Sequence, residues 1–123
     1  MTRQKFEKLV QQAYQDIPAK FREKIDNVVI TVKDYPGPHE IEELKLREDS
    51  LLLGLYKGTP LPKRSIWQGA RVPDEIILFQ KDIERVCRSE TEIKERVNEV
   101  LKHEIAHYFG LSDDEIYALM GRD

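Results

Sequence analysis

Between Ser89 and Phe109 the apolar residues Ile93, Val97, Val100, Leu101, Ile105 and Phe109 recur at three- and four-residue intervals, the spacing of a long helix with one buried side. Ser89 or Thr91 begins it. Gly110 follows at once and suits the left-handed residue that ends helices. Ser112, Asp113, Asp114 and Glu115 then precede Ile116 in the manner of a capping box, which predicts a last short helix from about Asp113 to Met120. A helix this long and this sided must lie across an apolar layer, so the rest of the chain has to supply one.

Three segments read as that layer. Val28, Val29, Ile30, Thr31 and Val32 are β-branched at every position and predict a strand, closed by the turn Tyr35–Pro36–Gly37–Pro38. Leu51 to Lys57 is a second strand candidate, stopped by Gly58, Thr59 and Pro60. Glu75 to Gln80 is a third, and Asp82 to Cys87 reads as a short helix after it. At the amino end Thr2 caps a helix with Phe6, Leu9, Val10, Ala13 and Ile17 on one stripe. Pro18 interrupts that helix, and Ala19 to Ile25 forms another turn or two. His39 to Ser50 reads most simply as an acidic surface loop, with a short helical piece as the alternative. Leu61 to Pro73 is a long loop of a kind that is often functional. The order predicts an α+β fold, a small mixed sheet packed against an N-terminal helix and the long C-terminal one.

With 123 residues, 40% hydrophobic and 35% charged, residues 1–123 are expected to form a single domain with a compact core. A net charge of −3 argues against a protein built to hold nucleic acid. The single cysteine, Cys87, cannot form an internal disulfide and fits a reducing compartment, the cytoplasm by default. Met1 to Lys20 has no uninterrupted apolar run, and Leu51–Leu52–Leu53 is far too short to cross a bilayer, so neither a signal nor a membrane span is expected.

The chemistry lies near the end of the long helix, where His103–Glu104–Ile105–Ala106–His107 forms H-E-x-x-H. At 3.6 residues per turn, positions four apart differ by about 40° and ~6 Å, so both imidazoles leave one face and can meet one ion. Imidazole nitrogen suits zinc. Glu104 stands about 100° around the axis, where its carboxylate meets water beside the metal rather than becoming a ligand. A catalytic zinc needs a third ligand and an open position. Gly110 can reverse the chain, and Asp113 three residues later is then the expected third ligand, with Asp114 and Glu115 as rivals.

This motif, with Leu53–Gly54–Leu55–Tyr56, Gly58–Thr59–Pro60–Leu61 and Val72–Pro73–Asp74–Glu75–Ile76–Ile77–Leu78–Phe79, resembles the small bacterial zincin-like metallopeptidase family over nearly the whole chain. The resemblance implies a minimal zincin fold, with His103, His107 and Asp113 as zinc ligands and Glu104 as the catalytic carboxylate. The spacing is also similar to that of the metzincins, whose third ligand is usually His where this chain has Asp113. No turn built on methionine is evident, and Met120 reads as core.

A zinc peptidase then follows as the expected function, with a peptide or protein substrate and no membrane partner; oligomeric state is open. Leu51 to Lys57 is the candidate edge on which an extended peptide could pair, an interior strand being the alternative. The competing reading is a binding module that uses the metal for stability without cutting; metal-dependent nuclease activity ranks third. Tyr108 points off the metal face by phase, whereas Tyr56 and Tyr117 are read as packing residues within reach. His39 and the run from Glu40 to Asp49 are read as solvated, and Cys87 as core. Lys57, Lys63, Arg64 and Arg71 around Trp67 are read as a solvated loop with one anchor, able otherwise to grip an acidic peptide or a nucleic acid strand.

Overall fold

A computed structural model of the chain describes residues 1–47, 51–58, 73–111 and 114. The Thr2 hydroxyl accepts the Lys5 amide N–H at 3.1 Å and opens α1 (Arg3–Gln15), which buries Phe6, Val10 and Ala13. Pro18 stands before one turn of helix, α2 (Ala19–Arg22). Asn27, at φ 60°, reverses the chain into β1 (Val28–Lys33).

β1, β2 (Gly54–Lys57) and β3 (Asp74–Phe79) form a three-stranded sheet in the order β1-β3-β2. β1 runs parallel to β3, with Val28 beside Asp74 and Val32 beside Leu78. β2 runs antiparallel on the other side, Gly54 beside Leu78 and Tyr56 beside Ile76. The central position of β3 explains its sequence. Ile76, Ile77, Leu78 and Phe79 are all buried, so the strand reads as an unbroken apolar run instead of an alternating one. Among the described residues β2 stands at the end of the sheet, as an edge strand would.

The long helix is α5 (Glu90–Tyr108), capped by Ser89, whose hydroxyl accepts the Glu92 amide N–H. Val97, Val100, Leu101 and Ile105 pack with Ile76 and Leu78 of the sheet and with Phe6 and Val10 of α1. Each such burial stabilises the fold by about 1.5–3 kcal/mol relative to exposure. Gly110 has φ +77°. Its N–H donates to the His107 carbonyl while that of Leu111 donates to Ala106, the paired closure of a helix that turns back on itself. The expected helix from Asp113 to Met120 lies outside the described residues except for Asp114, which is helical and exposed.

Three local readings are corrected. The third strand ends at Phe79 because Gln80 turns inward: its side chain accepts from Arg3, donates to the Met1 carbonyl and to Glu84, and begins α4 (Gln80–Arg85). The second strand starts only at Gly54, since the Leu52 N–H is taken by the buried Asp82 carboxylate. The segment after the turn is helical, α3 (Pro38–Glu43), and Glu40 is buried where a solvated residue was expected. Glu40 accepts the Gly37 N–H at 3.0 Å, closing the helix start, and pairs with Lys33 and Lys57.

Burial opposes ionisation of Glu40, but the backbone hydrogen bond and the charges of Lys33 and Lys57 outweigh it and hold its pKa below the usual value. A carboxylate depressed in the folded state contributes stability above its unfolded pKa and loses it as pH falls through the folded one. Glu40→Gln should therefore be less stable than the unmodified protein at pH 7, with the difference shrinking towards zero in strong acid, as read by urea unfolding at both pH values.

Candidate metal centre

His103 and His107 lie one turn apart near the end of α5, half-buried, with ring centroids 4.7 Å apart and planes at 78°. Their Nε2 atoms approach to 3.1 Å. Two nitrogens bound at ~2.0–2.1 Å to one tetrahedral zinc stand roughly 3.3 Å apart. The imidazoles therefore already hold nearly the separation that a shared ion requires, and both are chemically suited to it. Among the described residues no group of three His, Cys, Asp or Glu side chains is arranged to hold a metal ion. Asp113, expected as the third ligand, and its rival Glu115 lie outside the described residues, whereas Asp114 is exposed.

Glu104 projects from the same stretch of α5 towards the sheet and is 8% exposed. Gly54 of β2 lies against Val100 and Glu104, so the strand packs directly on the side of the helix that bears the carboxylate. Helical phase accounts for this division. The step of one residue sends Glu104 inward under β2, while the step of four keeps the two histidines together.

Tyr108, about 100° around the helix from His107, is fully buried. Its hydroxyl accepts the Asp26 N–H at 3.0 Å and reaches the Asp26 carbonyl at 3.3 Å, tying the end of α5 to the turn before β1. Tyr56 meets the Tyr108 ring edge-on at 6.2 Å and donates its hydroxyl to buried Asp74 at 2.6 Å. Tyr56 thus binds the sheet to the site helix, whereas Tyr117 and Met120 lie outside the described residues. Sequence reading missed Asp74 and Gly54. An isolated glycine inside an apolar strand is a recognisable sign of close approach.

The remaining candidates fall elsewhere. His39 is exposed on α3 and pairs with Glu43. Burial pushes the Cys87 thiol up, which disfavours the reactive thiolate. Lys57 faces Glu40, while Lys63, Arg64, Trp67 and Arg71 lie outside the described residues. A groove of about 740 Å³ between α1 and β1 reaches Ile105, on the side of α5 opposite the histidines, and has an apolar floor. No helix among the described residues is long and apolar enough to cross a membrane.

Comparison with known proteins fits this architecture. A family model described as zincin-like metallopeptidase matches residues 25–122, and the chain belongs to that family. The solved structure of a conserved hypothetical protein from T. thermophilus is similar, with 22% identity and a TM-score of 0.58 over 99% of this chain and 100% of that one. That likeness shows the fold. No curated protein matches the chain.

Tyr108→Phe removes the hydroxyl that accepts the Asp26 N–H in a part-buried hydrogen bond. It should cost about 1 kcal/mol of stability in denaturant unfolding, with the ring packing kept.

Proposed function

We propose that the protein is a zinc metallopeptidase in which His103, His107 and Asp113 hold the metal and Glu104 is the general base. The observation that carries this reading is the 3.1 Å approach of the two Nε2 atoms on one helical face. Family membership supports it, since zincin-like metallopeptidases are the class to which residues 25–122 match. Asp113 is favoured because the left-handed Gly110 and its paired closure end the helix just past His107, three residues before it.

Bound zinc supplies a Lewis acid that polarises a peptide carbonyl and acidifies water towards a pKa of ~7. The chain's own groups do the rest. A Glu104 carboxylate oxygen takes a proton from the attacking water and delivers it to the leaving amine, so no covalent intermediate with the protein is needed. The low exposure of Glu104 keeps that proton away from bulk solvent. β2, at the end of the described sheet and packed on α5, is the edge on which an extended peptide or protein substrate pairs by strand addition. The cytoplasm is the proposed compartment, on the strength of the unpaired Cys87, and residues 1–123 are proposed to act as one domain.

Two results follow. His103→Ala and His107→Ala should each abolish stoichiometric zinc binding, measured by metal analysis after dialysis, whereas Glu104→Gln should keep it. Incubation of the zinc-loaded protein and of Glu104→Gln with a cell-extract proteome should give new amino termini, detected by mass spectrometry, for the unmodified protein alone. Identical profiles at full zinc occupancy would overturn catalysis and favour a metal-stabilised binding module.

A further inference from the structure

Gly54 is a glycine inside a strand whose backbone does not call for one. Positive φ angles occur at Gly58 and Gly110 but not at Gly54, so alanine would meet no conformational strain there and would spare the strand some entropy. The neighbouring helix supplies the reason. A Cβ placed on Gly54 would sit 2.5 Å from Val100 Cγ1 and 3.3 and 3.4 Å from Cγ and Oε2 of Glu104. Val100 is buried, and a β-branched side chain in a helix keeps one strongly preferred rotamer, so it has little room to turn aside. Any side chain at position 54 therefore lifts β2 from α5 where the strand touches Glu104.

We propose that Gly54 is a positioning residue for Glu104. By carrying no side chain it seats β2 on α5, walls in the methylene stem of Glu104 and fixes the direction in which the carboxylate leaves the helix. Glu104 has three rotatable side-chain bonds, and a lifted strand removes one of the walls that limit them. A general base must be within hydrogen-bond reach of its proton, and displacement by about 1 Å can cost on the order of 100-fold in rate. The missing side chain at position 54 thus acts on Glu104 through the face of β2 that meets α5, whereas substrate pairing uses the strand's backbone edge. Its catalytic consequence rests on the peptidase reading, whereas the packing relation stands without it.

The test has two independent arms. In the metal-free protein, NMR should show contacts between the Gly54 α-protons and the Glu104 γ-protons. Gly54→Ala should weaken the residue 54 contact and shift the Glu104 δ-carbon resonance, with the circular dichroism of the fold retained. Should Gly54→Ala fail to fold, Gly54→Ala/Val100→Ala is compared with Val100→Ala, because the 3.3 and 3.4 Å contacts still press on Glu104. An unmoved Glu104 resonance overturns the proposal. In the zinc-loaded protein, a quenched-fluorescence peptide spanning a mapped cleavage site is the probe. Gly54→Ala should lower kcat at least ~10-fold with zinc stoichiometry unchanged. An unchanged kcat, or a loss of activity that only follows loss of zinc, overturns the proposal's catalytic consequence. Wild-type protein that cleaves nothing while the NMR shift occurs overturns the peptidase reading and supports the packing relation.

Discussion

The contact of α5 with the sheet is the constraint on which the rest depends. One helix supplies Val97, Val100, Leu101 and Ile105 to the core and, within the same stretch of about three turns, His103, Glu104 and His107 to the candidate centre. Once the apolar side is buried, the rotational setting of the helix is fixed. The histidines must then emerge together at the half-buried flank and Glu104 must point under β2. Side-chain directions at the site are consequences of core packing, and a helix free to roll would lose them.

Two further attachments stop movement along the axis. The Tyr108 hydroxyl holds the Asp26 backbone beyond one end of the histidine pair, and Tyr56 braces Tyr108 while bound to Asp74. The paired closure at Gly110 ends the helix just past His107 and turns the chain back. These part-buried polar links, each worth about 1 kcal/mol where neutral groups are involved, add local rigidity at the end of the helix.

Local rules made much of this legible. The i, i+4 histidines, the Ser89 and Thr2 caps, the β-branched run of β1 and the glycine at 110 depend on neighbours a few residues away, and each was readable from them. The buried Glu40 was not. Its acidic surroundings look solvated until the fold brings Lys33 and Lys57 from two strands beside it. Gln80 read as the end of a strand because its partners Arg3 and Met1 lie at the opposite end of the sequence. Gly54 likewise has meaning only once Val100 is placed against it. Tertiary partners decide such residues, and a linear pattern does not name them.

Anomalous diffraction at the zinc edge from crystals of the zinc-loaded protein tests the central claim most directly. The account predicts one peak at ~2.0–2.2 Å from both histidine Nε2 atoms and from an Asp113 carboxylate oxygen, with the Glu104 carboxylate beside it and outside the coordination sphere. A peak away from the two rings, or between them with Asp113 turned aside and no other acid in its place, would contradict it.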